Sequence, residues 1–203
     1  MEINYLNLQK SMFDGIGKYD IPELKPIKFS TCETIGFNEA KQCKNRNDKA
    51  VHFFLDDYQF ERVWNRPDTY INMLKQFKYV FSPDFSIYSD YPKALQIYNH
   101  YRKHWVGAYM QFNGINVIPT IGWSNKESFE WCFDGEPKGS AIAVSSIGTQ
   151  KNKQSKELFM NGYNEMLKRL EPTQVLFYGN VPREIVDDRI INISAFQERF
   201  RSK

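Results

Sequence analysis

Short apolar runs recur along this chain, each closed by a polar or glycine-containing end and most followed by a helical pattern. This alternation constrains the fold more than any other feature. Strand followed by helix followed by strand predicts a parallel sheet with right-handed crossovers. The clearest example is Ile115-Asn116-Val117-Ile118, which ends in Pro119-Thr120-Ile121-Gly122-Trp123-Ser124 before a short helix from Lys126 to Phe133.

Further strands are predicted at Ile27 to Phe29, Val51 to Leu55, Tyr79 to Phe81, Ala141 to Val144, Gln174 to Phe177 and Arg189 to Ile193. Near-continuous hydrophobicity, as in Val51 to Leu55, suits strands covered on both faces. Helices are expected from Asp68 to Phe77, from about Asp90 to Phe112, and from Lys156 to Leu170, with a last one from Ser194 to Phe200. Asn113-Gly114 and Pro172 stop two of them. Residues 1–26, punctuated by Gly15, Gly17, Pro22 and Pro26, read as an irregular lead-in to a single α/β domain over 27–203. The expected architecture is a barrel-like (β/α) arrangement of about seven mostly parallel strands, because no Gly-rich dinucleotide fingerprint is present. An open doubly wound sheet is the alternative.

At 203 residues, 41% hydrophobic and 25% charged, the chain suits one globular domain with a substantial core. A net charge of +3 is too small to announce a nucleic-acid surface without clustering. Lys151, Lys153 and Lys156, and Arg199, Arg201 and Lys203, read as solvated faces. Three cysteines without metal-like spacing, and no signal peptide, favour reduced thiols in a cytoplasm. No apolar stretch approaches the roughly 20 residues of a membrane span.

In parallel sheets, ligands bind beyond the C-terminal strand ends. That rule gathers Asp57, Asp84, Thr120, Trp123, Ser145, Ser146, Gly148, Thr149, Tyr178 and Asn180 onto one rim. Asp57 and Asp84 are the candidate catalytic pair, as acid and base or as oxygen ligands to a divalent metal such as Mg²⁺; capping of loops is their alternative role. Ser145-Ser146-Ile147-Gly148-Thr149 resembles an anion cradle ahead of a helix N-terminus, without Walker spacing. Trp123 is placed to stack a base or sugar, or to act as an apolar lid. His100 and His104, four apart on a helix, share a face and could hold a metal, but no H-E-x-x-H glutamate accompanies them. His52 falls inside a strand, and Cys132 with a histidine makes a weak nucleophile pair. No G-x-S-x-G elbow is present.

Ile118-Pro119-Thr120-Ile121-Gly122-Trp123-Ser124, Phe129-x-Trp131-Cys132-Phe133-Asp134-Gly135, Ser145-Ser146-Ile147-Gly148-Thr149 and Phe177-Tyr178-Gly179-Asn180 together resemble the bacterial and phage-borne domain of unknown function 4417 family, over roughly residues 20 to 195. The resemblance implies a mobile-element or phage setting and carries no catalytic role to any residue. The residues themselves point to a polar ligand held at the rim, with a nucleotide or phosphate-bearing one as a candidate; whether it is hydrolysed or only bound is left open. The alternative is a non-catalytic protein acting on nucleic acid or a host protein.

Overall fold

The computed structural model describes residues 5–193. The helix expected over 194–200 and the C-terminal basic residues lie outside them. An antiparallel ribbon, β1 (Gly15–Ile16) and β2 (Ile21–Pro22), precedes the main body. A four-stranded parallel sheet follows in the order β3 (Glu33–Gly36), β4 (Lys49–His52), β5 (Tyr79–Phe81) and β6 (Val117–Ile118). A three-stranded parallel sheet contains β7 (Ala141–Ser145), β8 (Gln174–Tyr178) and β9 (Ile190–Ile193).

Seven parallel strands are therefore present, but they do not pair as the single barrel expected from the sequence. The two sheets meet at one bridge, Thr120 to Ala143. Pro119 explains the thinness of this join: its carbonyl accepts from Ala143 N at 2.8 Å, but it has no N–H to give back. At the other edges, β3 and β9 show no ladder to each other among the described residues. A groove of about 460 Å³, lined by Phe29, Thr34 and Ile193 among others, runs there instead. Within each parallel sheet neighbours are consecutive in sequence, without the order reversal of a doubly wound sheet.

Register explains why the strands are so apolar. Ile35 pairs with Val51, Val51 with Val80, and Val80 with Val117, a row of β-branched residues across the first sheet. Buried side chains of this kind contribute about 1.5–3 kcal/mol each. One core cluster draws Val51, Val80, Phe81 and Val117 from the first sheet and Ala143, Leu176 and Ile193 from the second. A second cluster packs Ile142, Val144, Val175 and Phe177 under the helix α5 (Lys153–Leu170). Helix α5 follows its amphipathic pattern: Phe159, Tyr163, Met166 and Leu170 are buried, Asn152 caps it by accepting from Ser155 N at 2.8 Å, and Glu171 ends it in the left-handed region.

The first parallel strand lies later in the chain than the apolar pattern predicts. Ile27 to Phe29 is not a strand; Ile27 N donates to Ser140 Oγ, and Phe29 exchanges bonds with the Gln174 amide. These side-chain bonds seat the segment against β7 and β8, and the first parallel strand begins only at Glu33. Helices α1 (Phe37–Ala40), α2 (Glu61–Asn65) and α3 (Pro67–Leu74) cover the first sheet, with Pro67 in the first turn of α3. Helix α4 (Lys93–Phe112) is the longest element and buries Gln96, Asn99, His100, Arg102, Lys103 and His104. No helix among the described residues is long and apolar enough to cross a membrane.

Candidate functional site: a cleft at the strand ends

The C-terminal strand ends converge on a cleft of about 800 Å³. Of the residues placed on the rim from sequence, Asp84, Trp123, Ser145, Gly148, Thr149 and Tyr178 line it. Asp57, Thr120, Ser146 and Asn180 do not. Thr120 is buried and ties β5 to β6: its N–H donates to Ser82 Oγ at 2.8 Å and its hydroxyl to Ser82 O at 2.9 Å. Ser146 is buried and donates to Asn180 O at 2.8 Å, while the Asn180 side chain is exposed. These are the bonds of a folded loop rather than of a receptive surface.

The two candidate carboxylates have separated in role. Asp57 accepts from Ser86 N at 3.1 and 3.3 Å and from Ser86 Oγ at 2.8 Å, so both its oxygens hold the loop after β5. Its neighbour Asp56 lines the cleft instead. Asp84 lies in the cleft wall with its carboxyl pushed up to about 7. Burial is the main cause; the Asp57 charge adds to it and the Lys103 ammonium opposes it. A carboxyl titrating near neutrality in a cleft is suited to give and take a proton.

The loop after β7 brings a different charge to the same lining. Thr149 N and Thr149 Oγ1 both donate to Ser146 O, closing a tight turn in which Gly148 takes a φ of 78°. Beyond that turn, Lys151 and Ser155 line the cleft, Ser155 in the first turn of α5, which contains no acidic residue. The lining thus holds Lys151 and the N-terminal turn of α5, and also the carboxyls of Glu39 in α1, Asp56 after β4 and Asp84 after β5.

Trp123 packs its indole on α5. A Cβ added at Gly162 would stand 2.1 Å from Trp123 Nε1, and the Phe159 ring centroid is 5.3 Å away. Trp123 also borders the cleft. The floor is aromatic: Tyr178 stacks on Phe54 at 4.7 Å and meets the His52 ring at 4.8 Å.

The apolar run hides His52 by reading through it to Leu55, whereas β4 stops at His52 and so delivers it to the strand-end face. Lys151 belongs to a lysine cluster whose pattern alone suits a solvated face. Its position after Ser-x-x-Gly-Thr and before a helix was the available signal. Cys132 is fully buried and its thiol is pushed up to about 12, chiefly by burial, which removes it as a nucleophile.

A second polar cluster lies away from the cleft, on α4. Lys103 Nζ reaches Glu136 Oε1 at 2.5 Å and Thr120 O at 2.9 Å, and His104 Nε2 stands 3.0 Å from the same Glu136 oxygen. His100 is beside His104, ring centroids 4.5 Å apart. Burial pulls both histidines below their ordinary value, with Lys103 adding to the effect. Burial works against Glu136, but Lys103 and His104 outweigh it and hold the carboxyl below the usual range. The i, i+4 histidine pair seen in the sequence thus has its carboxylate, supplied from a loop 32 residues away.

The family model described as Domain of unknown function (DUF4417) matches residues 13–197. A protein named "Gene 1 protein" from Mycobacterium phage L5 is 40% identical over 182 residues, covering 89% of this chain and 79% of that protein. The protein of the same name from Mycobacterium phage D29 is 36% identical over 182 residues, covering 89% and 67% respectively. No solved structure matches.

Proposed function

The chain belongs to the DUF4417 family, with phage relatives, and from that premise we propose that its strand-end cleft binds a small phosphate-bearing polar ligand and acts on it by proton transfer through Asp84. The carrying observation is that one cleft lining holds both kinds of charge: Lys151 beside the α5 N-terminus, and the carboxyls of Asp84 and Asp56. On this reading the first would hold the anion and the second would meet the rest of the ligand. A nucleotide or sugar phosphate has this form: an anion at one end, hydroxyls or a base at the other. Ser145 and Thr149 would join the anion-holding group, and Tyr178, Phe54 and Trp123 offer apolar faces. Hydrolysis is the reaction class that such a site serves, with Asp84 as general acid or base. Asp57 acts indirectly, by holding the Ser86 loop and raising the Asp84 pKa. The barrel-like reading of the two sheets belongs to this proposal, supported by the core they share and by one common strand-end face. A reduced, cytoplasmic setting fits the three free cysteines.

The test is titration of the full chain with adenosine monophosphate and ribose 5-phosphate, followed by backbone amide shifts. Shifts concentrated at Ser145 to Lys151 and near Asp84, and lost in Lys151→Ala, are expected. Absence of saturable shifts with both probes, or shifts that persist unchanged in Lys151→Ala, contradicts the proposal.

A second reading has its own observation. Tyr88 and Ile147 line the cleft yet are more than half exposed, and Tyr58, beside lining residues Asp56 and Gln59, is 79% exposed. An apolar rim of this kind is a docking feature for a nucleic acid or a host protein. Binding that falls steeply with salt supports a nucleic acid there, whereas a small ligand in the cleft shows little salt slope.

A further inference from the structure

Away from the cleft, the geometry around α4 points to a second site: we infer that His100, His104 and Glu136 form a buried site for one divalent transition-metal ion of the zinc class. One donor atom from each lies within 4.8 Å of the others, and all three residues are buried. Around a tetrahedral ion with bonds of about 2.0–2.1 Å the donors would stand about 3.3–3.5 Å apart, so closure requires only small side-chain movements.

The hydrogen bonds around the cluster prepare it for an ion. His104 Nδ1 faces Pro22 O at 2.8 Å and His100 Nε2 faces Asp134 O at 3.1 Å. A carbonyl only accepts, so each of these nitrogens carries the proton. That leaves His104 Nε2 and His100 Nδ1 with lone pairs when the rings are neutral. A backbone carbonyl fixing the tautomer from behind is the usual support of a ligating histidine.

The front of the site is then short of a positive centre. His104 Nε2, an acceptor in this tautomer, stands 3.0 Å from Glu136 Oε1, another acceptor. Something cationic must mediate between the imidazole and the carboxylate, either a proton or a metal ion. Glu136 Oε2 is buried and makes no hydrogen bond. Lys103 keeps its bond to Oε1, so the ion takes Oε2 and the carboxylate bridges ammonium and metal.

The local backbone is built for this approach. Gly135, at φ 77°, precedes Glu136; a Cβ there would stand 2.6 Å from both His104 Nδ1 and Pro22 O. The loop therefore brings Glu136 to α4 only because residue 135 lacks a side chain. Two imidazoles and one carboxylate select Zn²⁺, Co²⁺ or Ni²⁺ over Mg²⁺ or Ca²⁺. Full burial makes the ion a structural clamp between α4 and the 134–139 loop.

The full chain, stripped with a chelator, is titrated with Co²⁺ as an optical probe and with Zn²⁺ while thermal unfolding is followed. One equivalent of Co²⁺ giving visible d–d bands without thiolate charge transfer, and a rise in Tm with Zn²⁺, are expected. His100→Gln, which leaves the Lys103–Glu136 pair in place, and Glu136→Gln should each weaken binding at least about tenfold. Near-UV dichroism of the variants separates this loss from unfolding. No uptake by the wild-type chain at micromolar metal overturns the inference, as does uptake unchanged in both variants or a thiolate band placing the metal on cysteine. The cleft proposal stands or falls separately, since its probes are sugar phosphates and its readout lies at Lys151.

Discussion

Two carboxyls near Lys103 behave in opposite ways, and the contrast explains how this fold uses charge. Glu136 is buried at the α4 cluster and is held below the ordinary carboxylate range, while Asp84 in the cleft wall is raised to about 7. Burial pushes both upward. Glu136 is in direct contact with Lys103 at 2.5 Å and His104 at 3.0 Å, whereas Lys103 acts on Asp84 only through its field. Contact, more than burial, decides which form persists. The cluster is thus a place where charge is held, and the cleft wall a place where it can change.

The strongest way to break this comparison is to remove the contact. Glu136→Ala leaves Lys103 buried without its carboxylate and should cost about 3–5 kcal/mol by chemical denaturation. A loss under about 1 kcal/mol would mean that the pair is not holding the interior together.

The cleft differs from the cluster on its solvent side, not along its packed α5 wall. Gly162→Ala drives a methyl into Trp123 and should cost roughly 1–3 kcal/mol while shifting Trp fluorescence. Unchanged emission and stability would show that Trp123 is free to move.

Asp84 sharpens the comparison through pH. Its folded pKa, about 7, exceeds the ordinary 3.8, so between those values the folded chain holds the proton that the unfolded chain releases. Stability from this group is present in acid and is lost as pH rises through that window. Asp84→Asn should flatten the loss and stabilise the chain at pH 8 by on the order of 2 kcal/mol relative to wild type. Parallel pH–stability curves for the two proteins would contradict it.

Asp57→Asn has the smallest expected effect. It weakens the bonds to Ser86, costing about 1 kcal/mol, and lowers the Asp84 pKa by removing a like charge. An Asp84 titration that does not move downward would separate the two residues electrostatically.

Much of the scaffold was legible in the sequence, because burial on both faces of a parallel sheet writes itself as apolar runs. Tyr79 to Phe81 and α4 as far as Phe112 follow that pattern closely. The first strand was not legible. Ile27 to Phe29 looks more strand-like than Glu33 to Gly36, yet its backbone is claimed by Ser140 and Gln174. Such side-chain bonds, between residues more than a hundred positions apart, leave no local signal.

The cleft was half legible for a related reason. The strand-end rule delivers Asp84, Ser145, Thr149 and Tyr178, but it cannot say which end residues turn inward. Thr120 and Asp57 spend their polar atoms on Ser82 and Ser86. His52 enters the site because β4 is shorter than its apolar run. Glu136 needed the tertiary fold to meet His104.

The most direct test of the account is a carboxyl-carbon NMR titration of Asp84 in the full chain. A midpoint near 7, moving downward in Asp57→Asn, is predicted. A midpoint near 4, in the range of an ordinary solvated aspartate, would contradict the proton-transfer role of the cleft.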